Sequence, residues 1–501
     1  MTKATGKHAP ATVSVRDSSR WVVVSQVVKQ VSQVATLYVL ARLIAPAEFG
    51  VLVLATFVTR FVDMVIGDLG TASAIIQRQD LGEDEYSTIF WFNAAVGMVL
   101  TVLGVIAAPF MGPVFGSDRS AEVFQVAVLA FTIAGFGMVP QALLRKGLRF
   151  NQLVKVDLVV VVVTTTVALA GAAAGWGVWA LVISNLAGGI ANTAGVWGTS
   201  GFRPRRVYRV EHLRTVRSYS ANLSLFRFVS FFSMFGDRFL VGRVLGERAA
   251  GLYTQPNRLN QVPLEVTAVM YRRVLFPSLS KMQDDLARMR KSYLRTVGAV
   301  VTAGAPVYVA MIVLAEPLVL ALLDEKWTDA IPLVPIISGV GLMQLVSNST
   351  SIVLQAKGRA DLLLKREFVV FAVLGTGYGI GLTRGVEGVA WGYMIAVGFL
   401  LLPTLELSLR QIEQSMVGFW VNLWRQLAAI GCQFVVTWYV ADQIADGAHW
   451  TKLIVATAAG VLSYLLVLVV SRDRHLGELL SMGAPALGRW YSSKIVKEDR
   501  I

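Results

Sequence analysis

The sequence predicts an all-α integral membrane protein of about fourteen transmembrane helices, built as two pseudo-symmetric six-helix bundles around a central cleft and followed by two further helices. Three observations predict this. Of 501 residues, 55% are hydrophobic and only 16% charged, too apolar a balance for a water-soluble domain of this length. The apolar residues fall in runs such as 87–112, 122–144, 158–174, 292–315 and 450–471, each close to or above the roughly 20 residues that cross a bilayer as a helix. The basic residues are also spread unevenly along the chain. The polar–apolar alternation of a membrane barrel is missing.

Taken in order, the expected spans are 21–43, 49–77, 87–112, 122–144, 152–174, 176–199, 215–244, 249–271, 292–315, 327–355, 362–383, 386–409, 415–441 and 450–471. Placing the N-terminus in the cytoplasm puts 33 of the 46 Lys and Arg on inward segments, seven at outer ends and six within spans. This asymmetry follows the positive-inside rule with both termini cytoplasmic. The net charge of +14 is thus a topology signal, and nucleic acid is not an expected partner. No small-residue cleavage site follows the basic residues Lys3, Lys7, Arg16 and Arg20, so the first span itself is expected to act as the membrane signal. A single cysteine, Cys432, excludes an intrachain disulfide, and no metal site is expected.

The chain also repeats itself. "ARLIAPAEFG" at 41–50 is echoed by "GRVLGERAAG" at 242–251, which sets Arg243 against Arg42 at an offset of 201. Pro317 matches Pro109 at 208. Lys357-Gly358 matches Lys146-Gly147, and Gly388-Val389 matches Gly177-Val178, both at 211. Six spans per half make a parallel repeat, related by an axis along the membrane normal. The expected divisions are a cytoplasmic tail 1–20, a first bundle 21–199, a basic linker 200–214, a second bundle 215–410, two extra helices 411–471 and a basic cytoplasmic tail 472–501.

Polar residues inside spans mark where such a protein works, because a charge held in lipid costs about 2.5–3.5 kcal/mol. In span 1, Gln26, Lys29, Gln30 and Gln33 fall at i, i+3, i+4 and i+7 and share one helix face. Span 2 carries Arg60, Asp63 and Asp68, and span 7 carries Arg227, Asp237 and Arg238. Span 8 carries Asn257, Arg258, Gln261 and Glu265. In span 10, Gln344, Asn348 and Gln355 again share a face. Lys29, Arg60, Arg227 and Arg258 are the candidate cations of a cleft that suits an anionic solute. The glutamines and asparagines are its polar lining, and Asp63, Asp68 and Glu265 are candidate carriers of a coupled H+ or Na+. Each has a structural alternative: Arg60 and Asp63 at i, i+3 can neutralise one another, and Lys29 can snorkel. Asp237 and Arg238, near the outer end of span 7, are expected to be packing or interface groups.

No phosphate-binding glycine loop occurs, the four histidines lie outside the spans, and no loop is long enough for a separate domain. ATPase chemistry and an intramembrane histidine relay are therefore not expected, and no catalytic residue is assigned.

Against this background, "LARLIAPAEFGVLVLATFVTRFVDMVIGDLGTASAIIQRQDL" (40–81), "STIFWFN" (87–93), "GVWALV" (177–182), "GLYTQPNRLNQVP" (251–263) and "RVLFPSLSKMQDD" (273–285) resemble the polysaccharide flippases. These belong to the multidrug/oligosaccharidyl-lipid/polysaccharide exporter superfamily, and the similarity is to its colanic-acid and teichuronic-acid branch. The resemblance spans about residues 20–410. It implies alternating-access translocation of undecaprenyl-diphosphate-linked oligosaccharide repeat units across a bacterial cytoplasmic membrane, without a resident cofactor. It also implies polysaccharide polymerase and chain-length proteins as partners. A multidrug antiporter of the same superfamily, or a membrane polymerase or ligase acting on lipid-linked sugars, is the alternative. The first would want an acidic, aromatic cavity and the second longer outer loops.

Overall fold

The computed structural model describes residues 32–33, 35–64, 71–78, 80–209, 211, 221–445, 448–483 and 491. Among them no strand occurs, and a helix occupies at least part of each of the fourteen expected segments. Among the described residues, eight helices are long and apolar enough to cross a membrane, or nine if Ala35–Leu43 and Pro46–Val62 are taken as one bent span. That measure falls short of fourteen because helices such as Glu247–Met270 carry too many polar residues. Large side chains including Val162, Ile190, Ile395, Phe399 and Val470 are more than half exposed, a surface that only a hydrocarbon environment covers.

The chain divides into two compact units. One comprises Met1–Leu43, Thr59–Met111 and Ala121–Ser220, the other Ile44–Val58, Gly112–Ser120 and Ala221–Ile501.

In the first unit, Leu129–Lys146 packs between Glu83–Ala107 and Val178–Ser200, and Phe150–Ala173 packs on Val178–Ser200. Backbones approach where side chains are absent. A Cβ on Gly97 would lie 2.5 Å from the Phe131 carbonyl oxygen, and one on Gly135 2.7 Å from that of Asn93. Phe90 anchors the end of the bundle, edge-on to Phe136, Trp197 and Phe202. The start of the basic linker runs along the Glu83–Ala107 helix. There the Arg205 amide donates to Ser87 Oγ (3.0 Å), Trp91 Nε1 donates to the Arg205 carbonyl (2.9 Å), and the Arg205 guanidinium pairs with Glu83 and Asp84.

In the second unit, Leu286–Val313 and Leu333–Ala356 form the buried centre. Around them lie Ala221–Leu245, Glu247–Met270, Ala360–Leu382 and Gly385–Arg410. The two extra helices, Met416–Asp442 and His449–Val470, join this unit through Leu286–Val313, where Gln433 Nε2 donates to the Pro306 carbonyl (2.8 Å).

This unit also contains a reciprocal crossing. A Cβ on Gly50 would lie 1.8 Å from the Glu247 carbonyl oxygen, and one on Gly251 1.8 Å from that of Pro46. Glu247 and Gly251 each lie 201 residues beyond Pro46 and Gly50, so the first turns of two repeat-related helices rest on one another. Two helix N-termini brought together repel through their dipoles. Glu48 and Glu247 offset this: Arg119 pairs with Glu48 (2.6 Å), and Ser117 and Ser120 donate to Glu247.

The repeat changes register downstream. The hydrogen bonds that end Leu129–Lys146 run from Gly147, Leu148 and Arg149 to Leu143, Arg145 and Leu144, and those that end Leu333–Ala356 run from Lys357, Gly358 and Arg359 to Val353, Gln355 and Leu354. Every pair is 210 apart, as are Gly175 and Gly385, both at φ 76°. The sequence expectation set Lys146 on Lys357 at 211. In the folded chain Gly147 takes the place of Lys357, one residue out of step. Both lysines still do the same work. Lys146 Nζ donates to the Arg78 carbonyl (2.6 Å) and Tyr86 Oη (2.8 Å), and Lys357 Nζ donates to the Gln283 carbonyl (2.9 Å). Each pins its helix end to the segment joining the second and third helices of its own half.

Candidate functional site: polar stripes and a buried acid

The helix Glu247–Met270 is built around two internal prolines, Pro256 and Pro263. Each removes an amide donor from the helix ladder, and side chains near them also bond the backbone. Asn257 Nδ2 donates to the Tyr253 carbonyl (2.9 Å), and Thr267 Oγ1 donates to the Pro263 carbonyl (3.0 Å). Asn257 is therefore buried and engaged with its own helix.

Along this helix Thr254, Arg258, Gln261 and Glu265 are accessible or half-buried. Their spacing of four, three and four places them on one face. The neighbouring helix Leu333–Ala356 shows the same pattern, with Gln344, Asn348, Ser351 and Gln355 accessible or half-buried at the same spacing. Two adjacent helices thus each expose a wholly polar stripe. Lipid cannot solvate such a face, so these stripes require water or a polar ligand in front of them.

Behind the stripes lies a polar interior. Asp237 is 3% exposed, and its Oδ2 accepts from Tyr253 Oη (3.0 Å). Gln344 Nε2 donates to Tyr393 Oη (2.9 Å), and the Tyr378 and Tyr393 rings meet with centroids 5.7 Å apart. A glycine notch creates that contact. A Cβ on Gly377 would lie 2.6 Å from the Gly392 carbonyl oxygen, and one on Gly392 2.1 Å from that of Gly377, so Ala360–Leu382 and Gly385–Arg410 approach closely enough for the following tyrosines to touch. Arg238 lies over the Phe235 ring (5.7 Å) and is near enough to Arg258 for the two guanidiniums to repel.

The residues named from the sequence distribute as follows. Gln26, Lys29, Gln30 and Asp68 lie outside the described residues. Gln33, Arg60 and Asp63 belong to the first unit and are exposed, with Arg60 acting electrostatically on Asp63 one turn away. Arg227, Asn257, Arg258, Gln261, Glu265, Gln344 and Asn348 belong to the second unit. Arg227 is half-buried and engaged in an interaction, whereas Glu265 and Asn348 are exposed. Sequence reasoning passed over Tyr253, Tyr378 and Tyr393 and set Asp237 and Arg238 aside as packing groups. The available signal was an Asp–Arg dyad inside an apolar run. Among the described residues, no group of three or more His, Cys, Asp or Glu side chains is placed to hold a metal ion.

Residues 39–332 match the family described as Polysaccharide biosynthesis protein. The chain belongs to that family. Among its relatives, the teichuronic acid biosynthesis protein TuaB of Bacillus subtilis is 26% identical, over 94% of this chain and 99% of TuaB. The lipopolysaccharide biosynthesis protein WzxC of Escherichia coli is 25% identical, over 85% of this chain and 88% of WzxC. The fold is shared with the lipid II flippase MurJ in an inward closed conformation, with a TM-score of 0.71 at 14% identity, covering 91% of this chain and 98% of MurJ. This polysaccharide biosynthesis protein is thus a multi-pass helical membrane protein.

Proposed function

We propose that this polysaccharide biosynthesis protein is a flippase, moving undecaprenyl-diphosphate-linked oligosaccharide repeat units by alternating access across a bacterial cytoplasmic membrane, with both termini cytoplasmic. The observation that carries this reading is the pair of accessible polar stripes, Thr254–Arg258–Gln261–Glu265 and Gln344–Asn348–Ser351–Gln355. A sugar head group cannot cross about 30 Å of hydrocarbon without replacement partners for its hydroxyl groups, and amides and hydroxyls in a row supply both donors and acceptors. Arg227 and Arg258, both in the second unit, supply cations for the diphosphate. The inside-negative membrane potential favours its outward movement by about 2.3 kcal/mol per charge per 100 mV.

The test is a leaflet assay in vesicles holding the purified protein and a fluorescent undecaprenyl-diphosphate-linked oligosaccharide. Faster exposure of the label than in protein-free vesicles is expected. No acceleration, with efflux of a cationic dye instead, would establish the multidrug antiporter reading. Elongation or transfer of the sugar without flipping would establish the polymerase or ligase.

A further inference from the structure

Away from the polar stripes, the second unit carries an apolar groove between Ala360–Leu382 and Gly385–Arg410. Its floor is the notch at Gly377 and Gly392, where the two backbones touch and no side chain fills the space. Ala372, Thr376 and Ile380 form one wall, and Ile395, Ala396 and Phe399 the other. The one hydroxyl in the lining, Thr376 Oγ1, donates to the Ala372 carbonyl of its own helix (2.9 Å), so it asks nothing of an occupant. The space measures about 430 Å³. An apolar cavity of about 150 Å³ takes up benzene, and by that measure the groove holds a hydrocarbon chain of about fifteen carbons.

The ends of the groove say which hydrocarbon. From Ala372 to Ile380 it runs about 12 Å at 1.5 Å per residue, close to half of a hydrocarbon core of about 30 Å. One turn further in, Phe368 and Val369 succeed Ala372 and Val373 on the same face and are 43% and 54% exposed. The groove ends there. A partner helix crosses both leaflets and needs an open face along its whole length, whereas a lipid chain belongs to one leaflet. At the other end, Arg384 lies four residues beyond Ile380, and Glu387 three residues beyond Arg384. Both are exposed, and among the described residues neither side chain has a hydrogen-bond or ion-pair partner. A cation and an anion held apart in this way suit a head group that carries both charges, its phosphate on the guanidinium and its ammonium on the carboxylate. A diphosphate would meet Arg384 but be repelled by Glu387. Trp391, one turn inside Glu387 and half-exposed, stands where an interfacial aromatic residue borders the head groups.

We propose that this groove binds phosphatidylethanolamine, an aminophospholipid, from the leaflet that the orientation given above makes the outer one. One acyl chain lies over the Gly377–Gly392 notch, with the phosphate on Arg384 and the ammonium on Glu387. On its inner side the same notch brings Tyr378 against Tyr393, and Tyr393 accepts from Gln344. The chain therefore covers the back of the crossing that positions the stripe Gln344–Asn348–Ser351–Gln355. An effect of this lipid on sugar export rests on the flippase reading; the binding site does not.

The experiment uses the full chain in phosphatidylglycerol nanodiscs holding a trace of phosphatidylethanolamine with a photoactivatable diazirine on one acyl chain. After illumination, peptide mapping should find the label within 372–380 and 392–399. Unlabelled phosphatidylethanolamine should suppress that label beyond the dilution caused by the same amount of phosphatidylglycerol. Thr376→Phe fills the groove from an exposed position and should abolish the label there. Arg384→Gln and Glu387→Gln should each weaken it about tenfold, the loss expected for one charge-assisted hydrogen bond. Glu387→Gln should also let phosphatidylglycerol compete. Should Thr376→Phe fail to insert, the two charge variants decide alone. Equal suppression by both lipids in the wild type, or a label untouched by these variants, overturns the proposal. Suppression by undecaprenyl diphosphate but not by phosphatidylethanolamine overturns it in favour of the carrier tail. A wild-type dimer that Thr376→Phe dissociates overturns it in favour of a second copy of this chain. In the vesicle assay, exchanging phosphatidylethanolamine for phosphatidylglycerol should slow wild-type export and leave the Thr376→Phe rate unchanged. A protein that takes the label in its groove yet moves no lipid-linked sugar in either lipid sinks the flippase reading and leaves the site standing.

Discussion

Arg258 is accessible on a helix whose adjoining residues, Gln255, Asn257, Leu259 and Asn260, are all buried. Because it is accessible, Arg258→Ala should leave insertion and thermal stability nearly unchanged. A hydrogen bond to a charged group is worth about 1.5–3 kcal/mol, so losing one to a diphosphate should slow flipping by about ten- to a hundredfold. Arg258→Lys should recover part of that rate, since an ammonium keeps the charge but loses the planar fork. Normal export by Arg258→Ala in the vesicle assay would remove Arg258 from the site. Outside the spans, the Arg78 guanidinium grips Asp80 and holds its carboxyl down at about 2. The lowered value means that this contact contributes above the ordinary carboxylate range and fades only as pH falls towards about 2. Asp80→Asn should therefore act at neutral pH and lose its effect in strong acid, read by thermal unfolding. The polar stripe of Gln344, Asn348 and Gln355 was legible in the sequence because helical periodicity alone specifies it. The surroundings of Asp237 were not, because position along a helix does not say which tyrosines from other helices stand opposite.

Between helices, the decisive contacts are backbone ones. Gly50→Ala and Gly251→Ala each place a methyl group inside a carbonyl oxygen across the crossing, and no rotamer relieves that overlap. Each should lower thermal stability sharply. The double variant should cost less than the sum, since separating the helices once relieves both clashes. Gly431→Ala, within Met416–Asp442 and with nothing in the way, should be neutral or stabilising by about 1 kcal/mol. Equal losses at all three positions would mean that the crossing is not special. The lysine clasps predict another asymmetry. Lys146 has two acceptors and Lys357 one, so Lys146→Met should expose residues 78–82 to protease more than Lys357→Met exposes 282–285. The glycine crossing was half-legible, since the offset of 201 was on view in the sequence. The 211 match was misleading because Lys-Gly recurs one residue out of step with the helix ending, and hydrogen bonds rather than residue identities set that register.

For the whole molecule, the helices were legible because long apolar runs admit no other regular structure in a membrane. Apolarity undercounts the crossings for a physical reason: helices that line a wet interior must carry the polar groups that a hydropathy measure penalises. Glu247–Met270 shows this, with Arg258 and Glu265 on its accessible face and Asn257 and Asn260 on its buried one. If all fourteen segments cross, residues 1–20, 200–214 and 472–501 lie on one side of the membrane and 113–121 and 442–449 on the other. The excess of basic residues, 33 against seven, places the first group in the cytoplasm. Single cysteines introduced on a Cys432→Ser background should separate cleanly under a membrane-impermeant thiol reagent. Those at 113–121 and 442–449 should label in intact cells, and those at 200–214 and 472–501 only after permeabilisation. If the polar helix Glu247–Met270 instead returned to its side of entry, 200–214 would keep its place while every later loop changed sides. Labelling at 442–449 in intact cells therefore tests the crossing of that helix, and its absence there would reduce the count to an odd number and put the termini on opposite sides.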